Sequence, residues 1–183
     1  MDSMNKEYSE MLDRYLAEDS TEIFGNFSAG HAAEIITKFL NAAEYSVEFL
    51  SGNFAESFYD NIVIKDLLKQ TAIKLKKTSG KIRIITTDGV SKTLRKIIEE
   101  LKKEFCIDNI EYRACIYSGN EKLKHFMVVD SKRYRLEEAH DNFADSPTCV
   151  KAEVCCNGRV KAGELLSFFD MAWYALRPKK QEA

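Results

Sequence analysis

The chain has 183 residues, 45% apolar and 31% charged, with a formal net charge of −2. That length suits one domain with a substantial core. The composition is that of an ordinary globular protein, and the near-neutral balance excludes a global field drawing the whole chain to nucleic acid or anionic lipid. No apolar run approaches the roughly 18 residues of a membrane span, and the amino terminus is too polar for a signal peptide. A cytoplasmic protein is therefore expected. The five cysteines, Cys106, Cys115, Cys149, Cys155 and Cys156, are odd in number and mostly sit in apolar, strand-like surroundings. They read as reduced thiols without metal-ligand spacing.

The chain alternates between helix and strand. Residues 4–18 form a polar amphipathic helix, expected to be peripheral. Ser28 is placed to cap a helix running to about Glu44, with Ala32, Ile35, Ile36, Phe39, Leu40 and Ala43 as its apolar stripe. Residues 45–51 alternate as a strand, and Gly52-Asn53 breaks it. Asp60 or Asn61 caps a helix that ends at Ser79-Gly80. Residues 81–86 form an apolar strand, 91–105 a strong amphipathic helix and 110–117 a further strand. Residues 124–130 and 132–137 read as a hairpin turning at Asp130-Ser131. Pro147 closes a loop, 149–156 is a last strand and 163–176 a closing helix. Crossover helices imply parallel pairing and the hairpin implies antiparallel pairing. The expected fold is α/β, a mixed sheet flanked by helices on both faces. Residues 1–28 read as a helical extension, 29–177 as the domain and 178–183 as a tail, with no internal repeat or low-complexity segment.

Residues 123–140, LKHFMVVDSKRYRLEEAH, carry the chemical signal. Their spacing resembles the motif of the phospholipase D superfamily, H-x-K-x-x-x-x-D followed after six residues by G-S-x-N. With the aspartate fixed on Asp130, Leu123 stands at the histidine position and His125 at the lysine position. Glu137 stands at the glycine, Glu138 at the serine and His140 at the asparagine. The segments AEYSVEFLSGN, GKIRIITTDG and CCNGRVKAGELLSFFDMAW fall in the order of one phospholipase D-like lobe, over roughly residues 29–177. The resemblance is to small prokaryotic and phage members that have lost the standard motif.

What the resemblance implies is a disabled site. The family histidine attacks phosphorus and forms a phospho-histidine, and covalent catalysis needs a lone pair there, which Leu123 lacks. The family lysine, serine and asparagine grip phosphate oxygens, whereas Glu137 and Glu138 repel an anion. The residues that remain as catalytic candidates are His125, Asp130 and His140. Ser51, Asn53 and Glu138 are candidates for substrate contact. Asp130 has an alternative role bonding turn amides. Strand alternation puts it on the face opposite His125. His125, Glu138 and His140 compose a set that suits a divalent metal, the alternative being a solvated loop edge. No other cofactor is implied. Arg133 and Arg135 flank the glutamates and read as ordinary surface pairs.

Three functions follow as expectations. The first is a non-catalytic phospholipase D-like domain acting by binding or dimerisation. The second is an altered phosphodiesterase, nuclease- or lipase-type, using His125 or His140. The third is a nucleic-acid-binding module of mobile-element or defence origin. Lys74, Lys76, Lys77 and Lys81 cluster near a helix end, where cations suit the dipole, and the basic residues of the 91–105 helix are interleaved with Glu99, Glu100 and Glu104, which argues for a solvated face. The family builds its cleft from two lobes and this chain has one, so a homodimer is expected, with the 123–140 hairpins near the two-fold axis.

Overall fold

A computed structural model of the chain describes residues 3–52, 62–89, 92–119, 123–138 and 151–176. The helices are α1 (Ser3–Ala17), α2 (Ala29–Ala42), α3 (Ile62–Lys76), α4 (Lys92–Phe105) and α5 (Arg159–Ala175). The strands are β1 (Ile23–Asn26), β2 (Ser46–Ser51), β3 (Lys81–Thr86), β4 (Ile110–Ala114), β5 (Phe126–Val129), β6 (Arg133–Glu137) and β7 (Ala152–Cys155). They form one seven-stranded sheet in the order β1-β7-β6-β5-β2-β3-β4. β2, β3 and β4 pair in parallel through their crossover helices. The remaining pairs are antiparallel. The mixed α/β sheet expected from the sequence is the one observed.

Strand alternation divides the core in two. Val47, Phe49, Ile82, Ile84, Met127, Val129 and Val154 point to one face and pack under α1 to α4. Leu50, Ile85, Phe126, Val128 and Tyr134 point to the other and pack under α5 through Ala162, Phe169 and Trp173. The α2 stripe is fully buried, and Ser28 caps the helix by accepting from the His31 amide. Gly80 is required where β3 begins, because a Cβ there would stand 2.3 Å from the Tyr45 carbonyl oxygen.

The α5 face contains a partly buried ionic anchor. Arg83 of β3 reaches Glu48 of β2 at 3.0 Å and Asp170 of α5 at 2.7 Å. Its guanidinium lies 5.0 Å from the centre of the Phe169 ring. Burial pushes the Glu48 carboxyl above its ordinary value even with Arg83 beside it. One turn further along α5, at its C-terminus, Arg113 lies over Trp173 and donates to the Trp173 and Leu176 carbonyls, where the negative end of the helix dipole favours a cation.

Three features differ from the sequence reading. Residues 1–28 supply a sheet edge as well as a helix, since β1 pairs with β7 in the register Asn26–Ala152. α1 is docked rather than peripheral: Leu12 is fully buried, and Tyr8, Tyr15 and Leu16 pack on the core. α5 begins at Arg159, a turn before Gly163, with Gly158 at its N-cap. The described thiols Cys106, Cys115, Cys155 and Cys156 are free. Burial pushes Cys156 up to about 12, which makes it inert.

Candidate functional site

One polar row crosses the sheet at the carboxyl ends of β2 and β3, the end where parallel strands build clefts. The strand registers align Asn26 with Ala152, Ala152 with Glu137, and Ser51 with Thr86. His125 completes the row. It stands one residue before the Phe126–Leu136 pair, and its carbonyl accepts from the Glu137 amide at 2.8 Å. The same step places it beside Ser51, because Leu50 pairs with Phe126. Ser51, His125, Glu137 and Asn26 thus share the face covered by α1 to α4.

Charges within the row are matched pairwise. The His125 imidazole Nδ1 lies 3.3 Å from Oε2 of Glu137. The other oxygen of Glu137 accepts from Arg135 Nη1, and Arg135 Nε donates to Asn26 Oδ1 at 2.8 Å. Arg135 and Glu137 are each only 2% exposed, while the His125 side chain is 18% exposed. The imidazole is therefore the rim of a buried ionic chain. Tyr8 of α1 lies close enough for the Arg135 charge to act on its hydroxyl, whose pKa burial nonetheless raises. The expectation that Arg133 and Arg135 make surface pairs does not hold: both are buried. Antiparallel pairing with β7 and the docked α1 enclose this part of β6, and Glu137 and Asn26 compensate the Arg135 charge.

The structure separates the candidates named from the sequence. Asp130 sits at the opposite end of β5 from His125, five residues away, or about 16 Å along an extended strand. Its carboxylate accepts from the amides of Glu44, Tyr45 and Ser46, and from Arg133 Nη1 at 3.0 Å. Asp130 and Ser131 have φ of 53° and 55°, the two consecutive left-handed residues of a tight hairpin turn. Asp130 thus pins the hairpin to the start of β2 and does not meet His125. Glu138 also turns away from His125, because alternation gives it the other face. The carboxylate beside the imidazole is Glu137. Ser51 is buried, and its carbonyl accepts from the Thr87 amide at 3.0 Å. Asn53 and His140 lie outside the described residues. Among the described residues no group of three or more His, Cys, Asp or Glu side chains is placed to hold a metal ion.

Glu138 instead lines a shallow cleft of about 400 Å³ on the α5 side of the sheet edge, with Ile23, Phe27, Lys124, Lys151 and Glu153. Ile23 is 65% exposed and Phe27 63%. Sequence reasoning missed Asn26 and this cleft because β1 was not anticipated. It also missed the Arg135–Glu137 pair, although the i, i+2 spacing on one strand carries that signal.

No family model matches the sequence, and no curated protein matches it. Solved structures do. Nuc from Salmonella typhimurium, a phospholipase D family member, matches with a TM-score of 0.61 at 14% identity, over 85% of this chain and 96% of Nuc. NucT from Helicobacter pylori matches with a TM-score of 0.54 at 14% identity, over 84% of this chain and 97% of NucT. TrmBL2, an archaeal chromatin protein with a novel mode of DNA binding, matches with a TM-score of 0.58 at 13% identity. That match covers 94% of this chain and 61% of TrmBL2, so the chain spans less than two thirds of that protein. The architecture is the phospholipase D-like fold. No described helix is long and apolar enough to cross a membrane.

Proposed function

We propose that the chain is a catalytically degenerate phospholipase D-like domain that acts by binding and by pairing with a second copy of itself. One observation carries this reading. Where the superfamily motif calls for a nucleophile and a phosphate-gripping lysine beside a glycine, this chain has Leu123, His125 and Glu137. The Glu137 side chain fills the space a glycine would leave open, and its carboxylate engages the His125 imidazole at 3.3 Å. An entering phosphate meets the Glu137 carboxylate, and Leu123 offers no attacking group. The pairing part of the reading is supported by the cleft beside β1. There exposed Ile23 and Phe27 adjoin charges of both signs, a surface that can complement its own copy. The test is hydrolysis of bis-p-nitrophenyl phosphate with and without zinc, manganese or magnesium. Turnover lost in His125→Ala would replace this reading with that of an altered phosphodiesterase.

A second reading, a nucleic-acid-binding module, is favoured by the fold's likeness to a DNA-binding chromatin protein and by the way charge is segregated along this chain. Salt-dependent retention of duplex DNA by the purified chain would support it. Failure to bind DNA at low salt would exclude it.

A further inference from the structure

The net charge of −2 conceals a strong division. Between Ile62 and Phe105 the sequence has 12 lysines and arginines against 5 carboxylates, and the other residues have 15 against 24. The positive part is α3, β3 and α4, at one side of the sheet. In α4 the apolar residues Leu94, Ile97, Ile98 and Leu101 are buried. Lys92, Arg95, Lys96, Lys102 and Lys103 stand exposed on the opposite side of the helix. Helical spacing gathers them into one stripe about 16 Å long at 1.5 Å per residue.

The acidic interleaving seen in the sequence does not persist on this stripe. Glu100 turns toward α3, where Lys69 bonds its carboxylate, with Lys96 at 3.9 Å. Glu104 lies roughly 100° around the helix from Lys103 at 3.6 residues per turn. Only Glu99 remains within the stripe. Among the described residues, Lys92, Arg95, Lys102 and Lys103 are in no ion pair. The end of α3 adds exposed Lys77 beside Lys76, which donates to the Cys106 carbonyl just past α4.

We infer that this α4 ridge is a docking surface for the phosphodiester backbone of nucleic acid. The inference rests on the nucleic-acid reading and gives it a location, well away from the altered motif. A membrane surface is a poorer fit, because an interfacial helix turns an apolar face toward lipid and α4 buries its apolar face in the core. A duplex carries a phosphate every 1.7 Å or so of its axis with both strands counted, so about nine lie along a ridge of this length and roughly half of them on the side that faces it, enough for four or five cations to engage. The acidic remainder repels a polyanion elsewhere and so confines it to the ridge. Contacts of this kind hold the backbone without reading sequence.

The test is fluorescence anisotropy of the full chain with a labelled 24-base-pair duplex at 50 and 200 mM salt. About four phosphate contacts give a log–log slope near −3.6, an affinity loss of about 150-fold between the two salts. The double reversal Lys102→Glu/Lys103→Glu should weaken binding at least about tenfold at 50 mM salt. Arg159→Glu/Lys161→Glu, the same net change on α5, should leave it within about twofold, and Glu99→Gln should tighten it. None of these side chains is buried, so every variant should stay folded; the α4 reversals should lower the melting temperature by only a few degrees, because Lys102 and Lys103 lie in the last turn, where the helix dipole favours cations. Equal weakening by both double reversals would overturn the ridge while leaving DNA binding intact. No binding at 50 mM would overturn both. Ridge-dependent capture by phosphatidylserine vesicles, with no DNA binding, would assign the surface to lipid instead.

Discussion

His125 and Glu137 face each other across the β5–β6 pair, joined twice: the Glu137 amide donates to the His125 carbonyl, and the two side chains meet 3.3 Å apart. Main chain and side chain thus tie the two strands together at this end of the sheet. The pair continues into the core through Arg135 and Asn26. This buried polar chain lies in a low-dielectric interior and is sensitive to the removal of any single member.

Hydrolysis is expected to stay at the uncatalysed background for bis-p-nitrophenyl phosphate and for DNA. Leu123→His alone should not restore it, since the Glu137 side chain still occupies the glycine position and His125 still replaces the lysine. Colorimetric assay of the wild type and this variant checks the point. A burst of product with a trapped phospho-histidine in either would contradict it.

Glu137→Ala should be far more damaging than Glu138→Ala. Removing Glu137 leaves the Arg135 guanidinium buried without its counter-charge, which costs about 3–5 kcal/mol. At roughly 2–4 °C per kcal/mol for a chain of this size, the melting temperature should fall by about 10 °C. Glu138 is exposed, and its loss should cost no more than about 0.5 kcal/mol. Comparable melting temperatures for the two variants would show that the Arg135–Glu137 pair does not hold this end of the sheet.

Asp130 should behave as a fold residue. Its carboxylate collects three main-chain amides and Arg133, so Asp130→Ala should cost on the order of 3 kcal/mol. Asp130→Asn should cost less, because asparagine tolerates the left-handed conformation at φ 53° and retains an acceptor. Thermal unfolding of both variants gives the ranking. Loss of ligand binding at unchanged stability would make Asp130 a site residue instead.

The elements legible in the sequence were those whose burial writes a period into it. The α2 stripe and its Ser28 cap, the apolar β3 run and the Asp130-Ser131 turn all read directly. β1 did not, because Ile23-Phe24-Gly25-Asn26 buries only its last residue and owes its conformation to pairing with β7, more than 120 residues away. The α5 start was placed late because Gly158 offers no capping side chain. His125 and Asp130 are kept apart by the length of β5 rather than by alternation, since Asp130 has left the strand for the turn. Which glutamate would meet His125 depended on the β5–β6 register, and whether Arg135 was exposed depended on the docking of α1. Both are tertiary facts with no local signature.

Stability should decline on mild acidification partly through His31. This imidazole stacks on the Tyr8 ring, with centroids 3.8 Å apart and planes within 2°, and burial lowers its pKa below the ordinary 6.5. The unfolded chain then binds the proton more readily than the folded one. Stability is intact above pH 6.5 and is lost as pH falls below it, until the lower folded value is passed. A cation in the first turn of α2 would also oppose the helix dipole. His31→Phe keeps the stacking and removes the titration, so its melting temperature should vary less between pH 7.5 and 5.5. Identical pH dependence in the two proteins would mean that other groups govern acid sensitivity.

The chain should form a homodimer that closes over the β1 edge beside the 123–138 hairpin. An open edge strand flanked by Ile23 and Phe27, both mostly exposed, is a surface that stable chains usually cover. The cleft next to them alternates Lys124 and Lys151 with Glu138 and Glu153. A two-fold axis through this cleft can bring its lysines to the glutamates of the partner, the same patch meeting itself as in an isologous interface. A specific interface of this kind buries roughly 1,200–2,000 Å² in total. Light scattering across a dilution series should give a mass of two chains at high micromolar concentration. Ile23→Glu/Phe27→Glu should give one chain with unchanged secondary structure, because neither side chain contributes to the core. A sharp mass of one chain for the wild type would sink the dimer, and with it any site shared across a two-fold axis. A dimer unaffected by the double substitution would move the interface elsewhere, to the exposed Val160, Met171 and Tyr174 of α5.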